Sequence, residues 1–164
     1  ITCRNCYIES SPSNDRLEYI TAAEVAAFLD EAQALGTREI GFTGGEPFLN
    51  TEFPAMMKDA LVRGFEVLLL TNAMLPMQRP HIKKCLIELK GFYGNRLTVR
   101  VSLDHYTREL HETERGADTF EKTLAGIDWL AANAFNVAIA GRMCWDEAED
   151  SERQGYGNLI SQRK

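Results

Sequence analysis

An α/β fold built on a parallel sheet is what this sequence predicts, and three observations predict it. Short apolar runs alternate with longer segments of helical period, the connections between them are brief, and polar and glycine residues collect where each apolar run ends. Such alternation implies parallel strands joined by right-handed crossovers. Two architectures fit it, a doubly wound sheet and part of a β/α barrel, and both place a ligand at the carboxyl ends of the strands.

The elements follow in order. Residues 1–19 hold Cys3, Cys6 and the breaker-rich run Ser10-Ser11-Pro12-Ser13-Asn14-Asp15, which has no periodicity and reads as a loop. Thr21 precedes Ala22, Ala23 and Glu24 in a capping-box pattern. Val25, Phe28, Leu29, Ala32 and Leu35 then recur at three- and four-residue spacing up to Gly36, a helix with a glycine stop. Arg38 to Thr43 is a short strand interrupted by Gly44-Gly45, and Phe53 to Arg63 is helical with Gly64 ending it. Phe65 to Thr71 is apolar enough for a strand buried on both faces. After the turn-like Asn72 to Pro76 come a helix from Met77 to Lys90, a loop through Gly91 and Gly94, and a strand from Leu97 to Leu103. Asp118 to Ala134 is helical, with Phe120, Leu124, Ile127 and Leu130 on one face. Asn136 to Ala140 is a further strand and Asp146 to Ile160 a last helix. The order is therefore a loop, α-β repeated four times, then α.

Bulk properties bound the function. At 164 residues, 45% of them hydrophobic and 26% charged, the chain is long enough for one globular domain spanning residues 1–164. A net charge of −6 supplies no basic stripe for nucleic acid. The longest apolar run, around Val67 to Leu70, is too short to span a bilayer, and no basic-then-apolar segment opens the chain. The expected protein is soluble and cytoplasmic, with neither nucleic acid nor membrane as partner. Of four cysteines, Cys3 and Cys6 stand as C-x-x-C, which outside a secretory context reads as metal-binding or redox-active. The chain opens on Ile1 rather than Met, with this motif pressed against the start, so a fragment of a longer protein is expected.

The most informative stretch is Gly41-Phe42-Thr43-Gly44-Gly45-Glu46-Pro47. Adjacent glycines let a backbone approach a ligand closely, a carboxylate follows at once, and Pro47 fixes the exit. The other strand ends read Thr71-Asn72, Ser102-Leu103-Asp104 and Gly141-Arg142, polar where the strand bodies are Ile, Val and Leu.

Cys3-Arg4-Asn5-Cys6-Tyr7 together with Gly44-Gly45-Glu46-Pro47 resembles the radical S-adenosylmethionine (radical SAM) superfamily. Members carry C-x3-C-x2-C on the loop after the first strand. Cys3 and Cys6 match the second and third cysteines, the first falling two residues before Ile1 together with the first strand. Asn5 replaces the aromatic residue often found before the third cysteine. The resemblance implies a partial (β/α) barrel, incomplete here, with three thiolates on a [4Fe-4S] cluster whose open iron binds the amino and carboxylate groups of SAM. It further implies reductive cleavage of SAM and hydrogen abstraction from a peptide, haem or cofactor precursor. An electron donor such as flavodoxin or ferredoxin follows from the same chemistry.

Residue by residue, the resemblance assigns Cys3 and Cys6 to the cluster and Gly44, Gly45, Glu46 and Pro47 to the SAM amino group. Asn72 lies in Leu70-Thr71-Asn72-Ala73, where the family usually has Thr-Asn-Gly. Ser102 and Asp104 would meet the SAM carboxylate or ribose, alternating to one face of a strand. Arg142 is a candidate for the SAM carboxylate as a bidentate donor, against an ordinary salt bridge. Arg115-Gly116 and Phe120-Glu121 resemble residues that open the fourth helix in many members. Val137-Ala138-Ile139-Ala140-Gly141 fits the fifth-strand Gly-x-Ile-x-Gly pattern only in part.

His105 and His111 read as solvated loop residues near the substrate side, His81 as surface, and Cys85 as a small buried residue on the third helix. Cys144 lies on the ligand side, the methionines read as core filling, and Asp146 to Glu152 as a solvated helix start. With two cluster cysteines, a protein of this sequence alone is expected to be inactive. The competing readings are a zinc-binding or scaffold domain using Cys3 and Cys6, and last, a doubly wound nucleotide enzyme, which lacks the G-x-G-x-x-G fingerprint.

Overall fold

The computed structural model describes residues 3–6, 9, 14 and 18–163. Tyr7 and all of the Ser10–Asp15 run except Asn14 lie outside the described residues. Helix α1 (Ala22–Ala34) starts where its cap dictates: the Glu24 N–H donates to the Thr21 hydroxyl at 3.2 Å, and the Thr21 N–H donates to the Glu24 carboxylate at 2.8 Å. It buries Val25 and Leu29, whereas Phe28 and Leu35 are exposed.

The remaining elements are β1 (Glu39–Phe42), a 3-10 turn (Pro47–Leu49), α2 (Phe53–Val62), β2 (Glu66–Thr71), α3 (Leu75–Gln78), α4 (Pro80–Tyr93), β3 (Leu97–Ser102), α5 (Arg108–Arg115), α6 (Phe120–Ala132), β4 (Asn136–Ala140) and α7 (Glu149–Ser161). Two differ in kind from expectation. The helix expected over Met77 to Lys90 is split, because Arg79, at φ −59° and ψ 136°, is extended ahead of Pro80. The proline ring disfavours helical geometry in the residue before it, and the same ring suits the first turn of the helix that follows. Helix α5 was not expected at all, since the residues it buries, His111, Glu114 and Arg115, are polar and leave no apolar period to read. Arg115 and Gly116 therefore close α5, and Phe120 opens α6.

All four strands are parallel and stand in the order β1-β2-β3-β4, in register Ile40↔Val67, Leu69↔Val99 and Val101↔Ile139. This order decides between the two predicted architectures. A doubly wound sheet reverses its strand order and carries helices on both faces, whereas right-handed crossovers that always advance one strand in the same direction put every helix on one side. Val67, Leu69, Leu97, Val99 and Val101 are accordingly buried to 0–1% exposure among helix residues Met56, Met57, Leu61, Leu86 and Leu130. The opposite face carries Leu68, Leu70, Thr98, Arg100 and Ser102, none of them fully buried. β2 is therefore not buried on both faces as expected. The sheet is a segment of a β/α barrel, helices outside and the less covered face inside.

Candidate SAM and cluster site

The carboxyl ends of the strands and the cysteine loop enclose one cavity of about 190 Å³. Cys3 and Cys6, both partly exposed, line it from the loop, and Thr43, Gly44 and Gly45 from the end of β1. Thr71 and Asn72 contribute from β2, Ser102 and Asp104 from β3, and Gly141 and Arg142 from β4. Gly44 sits at φ +148°, a backbone conformation that a side chain at this position would strain.

Glu46 and Pro47 are buried beside this cavity and do not line it. Glu46 is 7% exposed, and its carboxylate accepts from the Thr71 hydroxyl at 2.8 Å, the Asn72 N–H at 2.9 Å and, as the cap of the 3-10 turn, the Phe48 N–H at 3.5 Å. It thereby fastens the ends of β1 and β2 together. Burial pushes its carboxyl pKa up, and the Asn72, Thr71 and Phe48 donors oppose that shift.

Asp104, 1% exposed, is the electrostatic centre. Arg115 donates to it through both arms of the guanidinium at 2.8 and 2.9 Å, and Arg142 pairs with it at 3.2 Å. Between the two readings of Arg142, the structure gives it a salt bridge, to a residue of the site itself. One Arg142 nitrogen also donates to the Asn5 carbonyl at 2.8 Å, while Nη2 has no partner among the described residues.

The cysteine loop rests on α5. The Arg4 N–H donates to the Glu114 carbonyl at 2.8 Å, and the Asn5 amide donates to both oxygens of the Glu114 carboxylate at 3.0 and 2.9 Å. Glu114 is 4% exposed, and sequence reasoning missed it. The available signal was a polar set at helical spacing, His111, Glu114 and Arg115, directly after the Asp104 strand end. Asn5 thus has a specific task where an aromatic residue was expected. Cys3 titrates above the ordinary thiol range because it is half-buried, an effect that Arg115 opposes.

Neither His105 nor His111 is solvated; they are 1% and 0% exposed. The Asp104 N–H donates to His111 Nδ1 at 3.2 Å, so the imidazole proton lies on Nε2, set edge-on to the Phe120 ring at 5.6 Å. Burial, helped by the nearby Arg115, lowers the His111 pKa to about 4. The run from Asp146 to Glu152 is only partly a solvated helix start: Glu149 and Asp150 are exposed, Glu152 is 7% exposed and Glu147 turns inward onto His105. His81 is exposed, Cys85 is partly buried on α4, Cys144 is exposed, and Met143 is the methionine left out of the core at 67% exposure.

A sequence model described as the Radical SAM superfamily matches residues 1–154. The chain belongs to the radical SAM superfamily. Among curated proteins it is 28% identical over 144 residues to the antilisterial bacteriocin subtilosin biosynthesis protein AlbA of Bacillus subtilis (strain 168), covering 85% of this chain and 30% of AlbA. It is also 28% identical over 134 residues to the GTP 3',8-cyclase of Chlorobaculum tepidum, covering 80% of this chain and 38% of the cyclase. The chain thus spans about a third of the length of these relatives. Among solved structures, Streptococcus suis SuiB bound to the precursor peptide SuiA superposes with a TM-score of 0.68 at 14% identity, over 90% of this chain and 31% of that one. SuiB bound to S-adenosylmethionine superposes with a TM-score of 0.59 at 15% identity, over 99% of this chain and 45% of that one. At these identities the likeness is one of fold, and it matches the barrel segment described above.

The radical SAM family uses a [4Fe-4S] cluster and SAM, and the residues present fit both. Cys3 and Cys6 offer soft thiolate ligands on the lining of the same cavity as Gly44, Gly45 and Ser102, beside the donor-bearing Arg142.

Proposed function

We propose that this chain is the SAM- and cluster-binding core of an enzyme that modifies a peptide. The observation that carries the reading is the convergence of Cys3 and Cys6 with Gly44, Gly45, Ser102 and Asp104 on one cavity at the strand ends. A [4Fe-4S] cluster held in part by Cys3 and Cys6 supplies, when bound, the electron for reductive SAM cleavage and hence for hydrogen abstraction from substrate. The chain's own residues hold and orient. Glu114 fixes the cysteine loop through Asn5 and Arg4, Asp104 holds Arg115 and Arg142 in place, and Glu46 locks the ends of β1 and β2 so that Gly44-Gly45 present their backbone to the cavity. Arg142 Nη2 is a suitable donor for the SAM carboxylate.

A peptide substrate is favoured by AlbA, a bacteriocin biosynthesis protein, and by SuiB, solved with a precursor peptide. The GTP 3',8-cyclase relative supports a second reading, a nucleotide substrate. An electron donor of flavodoxin or ferredoxin type and a cytoplasmic setting complete the proposal, with neither nucleic acid nor membrane as partner; no helix among the described residues is long and apolar enough to cross a membrane. A protein limited to residues 1–164 contributes Cys3 and Cys6 alone to the C-x3-C-x2-C pattern and is expected to hold the cluster weakly and to turn over little.

The test is anaerobic incubation of a reconstituted protein that carries the complete C-x3-C-x2-C loop with SAM, a reductant and either a precursor peptide or GTP. SAM cleavage coupled to a mass change in the peptide is expected. Cleavage coupled to GTP alone would replace the peptide reading with the nucleotide one.

A further inference from the structure

Beyond the SAM cavity, the chain builds a second cluster of ligand-type side chains where β3 ends and α7 begins. His105 Nε2, a Glu147 carboxylate oxygen and a Glu152 carboxylate oxygen all lie within 4.8 Å of one another. The three are 42 and 47 positions apart from His105 to Glu147 and Glu152, so chain folding, not local sequence, assembles them. His105 is 1% exposed and Glu152 7% exposed.

The electrostatics of this cluster are unbalanced. Glu147 is partnered: the Tyr106 hydroxyl donates to it at 2.6 Å and His105 Nε2 lies 3.0 Å from its other oxygen. Glu152, a residue 7% exposed, has no hydrogen bond or ion pair from its carboxylate among the described residues, and one of its oxygens lies within 4.8 Å of the Glu147 carboxylate. Among the described residues no lysine or arginine pairs with either carboxylate: Arg142 is committed to Asp104 and Arg153 to Glu149. Two carboxylates this close with no basic side chain between them favour a cation.

Packing holds the set in place. The Tyr106 ring stacks on His105 at 4.1 Å and Trp145 meets it edge-on at 4.9 Å. Gly155 of α7 lets Tyr106 approach, since a Cβ there would stand 2.4 Å from the ring. The 3.0 Å between His105 Nε2 and Glu147 Oε2 also equals the spacing of two ligands that each sit about 2.1 Å from one ion at close to a right angle.

We propose that His105, Glu147 and Glu152 form a site for one divalent first-row metal ion, separate from the Cys3–Cys6 loop. One imidazole and two carboxylates are a donor set for Mn²⁺ or Zn²⁺ rather than for an iron–sulfur cluster. The His105 ring is at present held by the Thr107 N–H, which donates to Nδ1 at 3.0 Å, so the proton sits on Nε2. Coordination through Nε2 moves that proton to Nδ1, where the Thr107 hydroxyl at 2.8 Å accepts it and the contact with the Thr107 N–H is given up. The ion ties the end of β3 to the start of α7, one residue beyond Asp104 of the SAM cavity.

The test is equilibrium dialysis of Mn²⁺, with Zn²⁺ as competitor, against the purified protein. One ion per chain is expected, with affinity at least tenfold weaker in Glu152→Gln and unchanged in Cys3→Ser/Cys6→Ser, which separates this site from the cluster loop and from the fate of the radical SAM proposal. A readout on the unaltered protein stands beside the variants. Bound Mn²⁺ should broaden the indole N–H resonance of Trp145, assigned with Trp145→Phe, before that of Trp129, the other of the two tryptophans, which packs on Phe135 at the amino-terminal side of β4. Absence of stoichiometric binding of either metal, equal affinity in Glu152→Gln, or equal broadening of both tryptophans would overturn the proposal.

Discussion

The helix-facing layer of the sheet and the carboxyl ends of its strands are buried to the same depth with opposite chemistry. Val67, Leu69, Val99 and Val101 are 0–1% exposed with their side chains in the apolar core, whereas the side chains of Asp104, His105 and His111 are equally buried and are joined to partners by hydrogen bonds and ion pairs. The first region is held by area removed from water, which is non-directional and tolerant of shape-preserving change. The second is held by directional bonds among groups that are expensive to leave unpaired, so each residue there depends on a specific neighbour. In this chain the stable part and the chemical part are separate layers of one sheet.

Substitutions can break that contrast, and the largest effect belongs to the polar layer. Asp104→Ala leaves Arg115 buried without its partner and is expected to destabilise by about 3–5 kcal/mol, measured by denaturant unfolding. Leu69→Ala removes a fully buried side chain and should destabilise by about 2–5 kcal/mol, while Leu69→Met stays under about 1.5 kcal/mol. If an isosteric swap at Leu69 were as damaging as Asp104→Ala, the distinction between the layers would fail.

Glu46→Ala is expected to be milder in stability, about 1–3 kcal/mol, because it strips the acceptor from the Asn72 N–H and the Thr71 hydroxyl. It should also weaken SAM binding in a protein that carries the complete C-x3-C-x2-C loop, and titration calorimetry that found unchanged affinity would remove Glu46 from the site.

The smallest effects are in pH dependence, and the polar layer carries two of opposite sign. The folded-state pKa of His111 lies near 4, below its ordinary 6.5, so the unfolded chain binds the proton first. Stability is then lost as pH falls from about 6.5 towards 4, and His111→Leu should flatten that slope. Glu46 is shifted the other way: with its folded pKa raised, the folded chain holds the proton longer, and stability declines as pH rises from the ordinary carboxylate value of 4.5 upward. Glu46→Ala should remove that decline. Thermal midpoints across this range check both, and no such slope is expected to respond to substitution at Leu69.

The same contrast explains what was legible in the sequence. The apolar layer announces itself, because Val25, Leu29, Leu124, Ile127 and Leu130 recur at helical spacing and β2 to β4 are short apolar runs. The strand ends stood out in the sequence as polar, and most residues singled out there do meet on one cavity. Helix α5 was not legible, since its buried face is His111, Glu114 and Arg115, and polarity at helical spacing looks like a solvated loop. His105 was misread because Trp145 and Glu147, which pack on its ring and bond its Nε2, come from the segment that leads into α7. The break at Pro80 was a local signal, outweighed by the helical period on either side of it.

The central claim is that the Cys3–Cys6 loop and the polar strand ends form one radical SAM site, and its most direct test is electron paramagnetic resonance of a reduced, anaerobically reconstituted protein that carries the complete C-x3-C-x2-C loop, before and after SAM is added. An iron–sulfur signal that changes shape with SAM, and that disappears in Cys3→Ala/Cys6→Ala, is predicted. A protein that instead retains zinc at these cysteines, or whose iron–sulfur signal is indifferent to SAM, would contradict the account.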